Sequence, residues 1–218
     1  MTKYTKCSLR ELDDVLTSLN EEEMQNIVGA KKTYKFDTNG RLVNTMEDDE
    51  KGPNLVLCNG QSMYIAGDLN YASEQYKDEK ENVHTGHTLS GGNMDLFYFL
   101  ADNTNVEWGA SYNVGSTAFL NTAHAEHSNY VSFQEGYSNY IHSHPTPGET
   151  QDQISSWDIS TGVAMLRKNY RGKETGINPN YNYENFSMYK AHSEGSVDED
   201  TVDYTRDVRR AYRNSNYH

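Results

Sequence analysis

The sequence predicts a mixed α/β fold, a mainly antiparallel sheet flanked by helices and preceded by a β-hairpin extension. Three observations lead there. Turn-forming clusters sit between short alternating runs at Asp37-Thr38-Asn39-Gly40 and at Asn59-Gly60. Helical periodicity appears around Met94–Ala101 and again from Thr150 to Arg171. Further strand-like runs fill much of the space between and after these helices. With 218 residues the chain is long enough for one well-filled domain plus additional segments. No apolar run reaches the roughly 18 residues of a membrane span. Lys and Arg total 19 against 32 Asp and Glu, a net charge of −13, and a field of that sign repels phosphate backbones and anionic lipid. Binding of nucleic acid through bulk charge is therefore not expected.

Residues 1–30 form the first segment. Ser8 with Glu11 three places later reads as a capping box, and Leu9, Leu12 and Leu16 follow on one face. Leu19, Met24 and Ile27 continue an apolar stripe that stops at Gly29. No continuous apolar core of a Sec-type signal follows the first basic residues. Counted back from Ala30, the residues Gly29, Ile27, Met24, Glu23 and Leu19 resemble a double-glycine leader. That resemblance implies cleavage after Gly29-Ala30 by a peptidase-containing ABC exporter and a secreted mature chain, with a cytoplasmic protein as the alternative. Cys7 and Cys58 are the two cysteines, and cleavage would leave Cys58 alone. Two thiols cannot build a four-thiolate zinc site, so a metal must be held by His and carboxylates.

Residues 31–84 read as a β-rich extension. Tyr34–Phe36 and Arg41–Val43 flank the first turn, and Asn54–Cys58 and Ser62–Ile65 flank the second. The acidic run Glu47-Asp48-Asp49-Glu50 is expected as a solvated loop, and residues 67–93 as a long polar connection. From residue 85 to 192 the pattern changes. Asn93 caps a helix with Met94, Phe97 and Leu100 inward, and Val106–Tyr112 alternates as a strand. Strands are expected near Ser116–Thr122, Tyr130–Glu135 and Ser138–His144, then a helix from Thr150, then a strand at Phe186–Lys190. Residues 193–218 read as a polar tail with a short helix around Asp203–Tyr212.

Chemistry concentrates in Ile141-His142-Ser143-His144-Pro145 and in Ser155-Ser156-Trp157-Asp158. Residues two apart in a strand share a face, so His142 and His144 point the same way. Pro145 cannot donate to a ladder and ends the strand there, leaving both imidazoles at its mouth. Ser155 and Asp158, three apart, are neighbours on one helix face. Two imidazoles and a carboxylate make three N/O ligands, the donor set of a catalytic zinc site with one open position. A hydrolytic site also needs a base, and Glu107, early in its expected strand, suits better than Glu126 or Glu135 in expected turns. The pairs His84/His87 and His124/His127 lack the intervening Glu and helical context of a zincin and are read as surface histidines. Trp108 and Trp157 are assigned to the core. Tyr137 and Tyr140 are assigned to strand packing.

Glu, then His-Ser-His-Pro, then Ser-x-x-Asp resembles the JAB/MPN/JAMM metalloproteases, and the stretch from Met94 is similar to the JAB-like toxin domains of bacterial polymorphic toxins. The resemblance implies the cytidine-deaminase-like layering of that family. It implies that His142, His144 and Asp158 hold zinc, that Glu107 moves the proton of the attacking water, and that Ser155 hydrogen-bonds the oxyanion. Partners implied are a peptide or protein substrate and an immunity protein. Ten residues, Pro145 to Ile154, separate the second His from Ser155, three more than the family pattern. Strict spacing makes Asp152 the alternative to Ser155/Asp158, but Pro145-Thr146-Pro147-Gly148 is a loop that tolerates insertion. Two rival readings are a catalytically silent MPN-fold binding module and a zinc hydrolase of non-peptide amides.

Overall fold

The computed structural model describes residues 30–77, 83–125, 134–145, 153–175, 182–193 and 196–215. It is a mixed α/β fold with two mainly antiparallel sheets, as the sequence predicts. The leader-like segment up to Gly29, together with Glu126, His127 and Asp152, lies outside the described residues.

The smaller sheet has the order β2-β1-β3-β4, from β1 (Ala30–Phe36), β2 (Leu42–Lys51), β3 (Asn54–Cys58) and β4 (Gln61–Ile65). Both expected hairpins are present, and parallel pairing of β1 with β3 joins them into one sheet. Asn59 and Gly60 both have positive φ, 49° and 76°, as a two-residue type I′ turn requires. In the first turn, Asp37 Oδ1 accepts from the backbone N–H groups of Asn39 and Arg41. The acidic run is not a loop. It continues β2, where Glu47 and Asp48 stand opposite Lys32 and Lys31 of β1, and opposite charges across a strand pair favour the extended form.

The larger sheet runs β11-β10-β9-β7-β8-β6-β5. Its strands β5 (Asn70–Lys77) and β6 (Val83–Gly92) occupy most of the stretch expected as a connection. They escape apolar periodicity because β5 is an edge strand and β6 buries Gly86 and Thr88 with a single large apolar residue, Leu89. The hairpin they form crosses residue 84, so chain on both sides of that position belongs to one sheet. The remaining strands are β7 (Gly109–Tyr112), β8 (Ala118–Thr122), β9 (Asn139–His144), β10 (Asn185–Lys190) and β11 (Thr201–Asp203). Of the strand expected at Tyr130–Glu135, residues 130–133 lie outside the described residues, and Gln134 and Glu135 lie in a turn region.

Four helices complete the described chain: α1 (Met94–Asn103), α2 (Ser156–Thr175), α3 (Val197–Asp200) and α4 (Thr205–Ser215). Asn93 caps α1 as expected, its Oδ1 accepting from the Leu96 N–H at 3.0 Å. Leu96, Phe97 and Leu100 of α1 share a core with Tyr34, Phe36, Val56 and Cys58 of the small sheet and with Leu89, Leu120 and Ile141 of the large one. The opposite face of the large sheet, with Tyr140, Phe186 and Met188, packs against Val163, Met165 and Leu166 of α2 and Val208 of α4. The C-terminal segment is thus not a solvated tail. Antiparallel β10–β11 pairing and the buried Tyr204 and Val208 bind it into the fold. Helix α2 starts at Ser156, later than expected, and Trp157 in its first turn is 72% exposed rather than in the core. Trp108 is fully buried, as expected.

Candidate metal centre and its surroundings

Strand β9 supplies the two histidines. His142 and His144 stand two apart on one face, at 4% and 8% exposure, and Ser143 points the other way. Pairing of β9 with β7 on one side and β10 on the other holds this strand in the interior of the sheet. His142 is register partner to Gly109, which carries no side chain on the face of the imidazole. The ring of Tyr140 stacks along His142 from one side, and Tyr204 meets it edge-on from another, its hydroxyl 3.5 Å from Nδ1.

Helix α2 supplies the carboxylate. Its start is a reciprocal cap: the Asp158 N–H donates to Ser155 Oγ at 3.2 Å, and the Ser155 N–H donates to Asp158 Oδ2 at 2.7 Å. The cap fixes the rotamer that sends Asp158 toward the sheet. Asp158 Oδ1 lies 3.1 Å from His142 Nε2 and Oδ2 lies 4.0 Å from His144 Nε2. The two Nε2 atoms are 3.2 Å apart. Burial alone would raise the Asp158 carboxyl, but His142 and the two bonds from Ser155 outweigh it and hold the group well below its ordinary range.

These three donors are the metal-compatible group found among the described residues, their ligand atoms within 4.8 Å of one another. Bonds of about 2.0–2.1 Å in a tetrahedron put ligand atoms roughly 3.3 Å apart. The 3.1 Å from His142 Nε2 to Asp158 Oδ1 and the 3.2 Å between the two Nε2 atoms lie close to that edge, and the other carboxylate oxygen is 4.0 Å from His144 Nε2. The two ring nitrogens, 3.2 Å apart, both lie within 4.0 Å of the Asp158 carboxylate, so all three groups can turn a lone pair to one cation. The donor set fits zinc.

Glu107 precedes β7 rather than lying within it. The Glu107 N–H donates to the Ala125 carbonyl at 2.9 Å, and its own carbonyl accepts from Thr122 Oγ1 at 2.7 Å. Its neighbours Val106 and Trp108 enter the α1-side core as expected. The β7–β9 register, continued by the bonds between Trp108 and Ser143, brings Glu107 opposite His144 and onto the face of the two histidines. Glu107 is 9% exposed, and burial, with the nearby Asp158 charge second, pushes its carboxyl up to about 8. Among the upstream carboxylates, Glu135 is exposed in its turn.

Tyr140 and Tyr204 are the contacts of His142 whose part sequence reasoning missed. Tyr140 was expected only as packing, and Tyr204 lies in the segment expected as a tail, with no spacing rule linking it to β9. Of the histidines expected at the surface, His84 is exposed, whereas His87 and His124 are partly buried. The rings of His87 and His124 meet at 48° with centroids 4.0 Å apart, and His124 Nε2 meets the Tyr71 hydroxyl at 2.8 Å.

Residues 90–172 match the family model described as JAB-like toxin 1. The span contains Glu107, His142, His144, Ser155 and Asp158, so the resemblance drawn from the sequence holds over it. Searches of curated proteins and of solved structures return no match.

Proposed function

We propose that this JAB-like toxin region is a zinc-dependent peptidase or isopeptidase, deployed as an exported toxin or effector. The observation that carries the reading is the convergence of His142 Nε2, His144 Nε2 and an Asp158 oxygen at separations suited to one tetrahedral cation. Zinc, when bound there, supplies a Lewis acid that polarises an amide carbonyl and acidifies water. Glu107, on the same sheet face and with its affinity for a proton raised by burial, takes the proton of the attacking water and delivers it to the leaving amine. Ser155, whose Oγ accepts from the Asp158 N–H and whose hydroxyl lies beside the Asp158 carboxylate, turns that hydroxyl to the oxygen that gains charge when substrate is bound. The exposure of Ser155 and Trp157 at the start of α2 puts this end of the site in reach of an extended chain.

The substrate class is a peptide or protein, and an immunity protein is the expected partner in a producing cell. Export through a peptidase-containing ABC exporter, with cleavage after Gly29-Ala30, completes the proposal. Among the described residues no helix is long and apolar enough to cross a membrane. The deciding experiment is zinc-edge anomalous scattering on crystals grown with zinc, combined with growth arrest on expression in a bacterium. One zinc per chain with His142, His144 and Asp158 around the peak, and arrest abolished by Glu107→Gln, is the expected result. Folded protein that refuses zinc would instead favour a silent binding module.

A further inference from the structure

Asn121 sits in β8 at 0% exposure, and both its amide nitrogen and its amide oxygen are buried without a hydrogen-bond partner. A carboxamide can make several hydrogen bonds, and a buried one that makes none opposes folding. Its place in the sheet is specific. Asn121 is register partner to Gly109, which is in turn register partner to His142. Paired residues of an antiparallel ladder project from the same face, so Asn121, His142, His144 and Glu107 share one face. Gly109 stands between Asn121 and His142 without a side chain. Glu107 is two residues before Gly109 and is tied to the end of β8 through Thr122 Oγ1 and the Ala125 carbonyl. Asn121 and Glu107 are therefore diagonal neighbours, a relation within reach of side chains of this length.

We infer that Asn121 is a positioning residue for Glu107: its Nδ2–H, which has no partner in the structure, donates to the carboxylate once zinc is bound and holds it toward the open side of the metal centre. The inference rests on the peptidase reading of that centre. It explains why a β-strand interior carries an amide without a partner, even beside the buried Thr88 of β6: the group gives up stability to serve the site.

The test uses the full chain with 15N-labelled asparagine, zinc alone as the probe, and the variants Asn121→Leu and Glu107→Ala. Zinc loading is expected to shift the Asn121 side-chain amide proton downfield in the parent protein, and to leave it unmoved in a Glu107→Ala variant that binds zinc equally. Asn121→Leu is expected to keep one zinc per chain, raise the thermal midpoint of the metal-free protein and reduce growth-arrest activity roughly 10- to 100-fold. An amide shift that persists without Glu107, a lowered midpoint with Leu at this position, or undiminished arrest each overturns the positioning role while leaving the zinc centre standing. A parent protein that binds no zinc sinks the peptidase reading and this role with it.

Discussion

The hydroxyl of Tyr204 faces Nδ1 of His142 at 3.5 Å, so the C-terminal segment reaches back to touch an imidazole of the proposed metal centre on strand β9. When Nδ1 carries the proton, the phenol oxygen accepts it and Nε2 keeps the lone pair that points at Asp158 and His144. Burial keeps the Tyr204 phenol protonated far above neutral pH, so it stays a neutral partner. Tyr204→Phe is expected to weaken zinc binding by about tenfold, the low end for an outer partner of a ligating histidine, because the contact is long. Zinc competition titration against a chromogenic chelator checks this, and unchanged affinity would show that ring packing alone orients His142.

Removal of metal should be visible as lost stability. A ligand that binds the folded chain alone stabilises by RT ln(1 + [L]/Kd), about 4 kcal/mol at a thousandfold excess over Kd. Zinc is expected to raise the unfolding midpoint and EDTA to lower it. With His142→Ala, which removes one of the three proposed ligands, the two conditions should converge. Differential scanning calorimetry with and without zinc reads the difference.

Glu107 should leave a signature in the metal-free protein. Its folded-state carboxyl sits near 8, against an ordinary value of 4.5 in the unfolded chain. Between those values the folded state holds more protons than the unfolded one, so stability falls as pH rises. Glu107→Gln stays neutral throughout and should flatten the decline, most cleanly from pH 6.5 to 8. Thermal midpoints in EDTA across that range check it, and a parallel decline in both proteins would show that Glu107 is not the group responsible.

His124 predicts the opposite slope on the acid side. Burial, then the neighbouring His87, lower its ring to about 4 from 6.5, with Arg41 adding to the effect and Tyr71 occupying Nε2. The unfolded chain binds the extra proton first, so stability should drop as pH falls through 6.5 toward 4. His124 has φ +54°, a left-handed conformation that Asn tolerates, which makes His124→Asn the suitable probe. That variant should lose about 1 kcal/mol at neutral pH with the Tyr71 bond, and show a shallower acid limb in urea unfolding.

How far the sequence discloses this molecule depends on the range of the interaction involved. The turn at Asn59-Gly60, the cap at Asn93 and the His-x-His alternation of β9 are local rules written in a few adjacent residues, and each is legible. Strands β5 and β6 are not, because they carry no apolar stripe: β5 is an edge strand paired to β6 alone, and β6 joins the sheet through β8. Trp157 was misplaced for the converse reason: tryptophan is usually buried, and only the position of α2 against the sheet reveals that this one points outward. In the site, residue types and spacing identified the donors now brought together, whereas Tyr204 and Asn121 become visible only through tertiary contact and register.

Gly162 offers a test of how α2 is seated, and hence of how Asp158 is delivered to the sheet. Glycine inside a helix ordinarily loses about 1 kcal/mol relative to alanine, so Gly162→Ala considered alone would stabilise α2. Here an added Cβ would lie 2.6 and 2.8 Å from the two methyl carbons of Val208 on α4 and 3.3 Å from the Phe186 ring. Val208 and Phe186 are fully buried, so neither has open space to move into. Overpacking of this kind costs about 1–3 kcal/mol, which exceeds the gain in helix propensity. Gly162→Ala is therefore expected to destabilise by up to about 2 kcal/mol net. Val208→Ala alone should also destabilise, through its cavity. The double variant should be more stable than the sum of the two predicts, because the new methyl fills the space that Val208 vacates. A double-mutant cycle in urea measures the coupling, and strict additivity would mean that α2 and α4 are not in contact at this point.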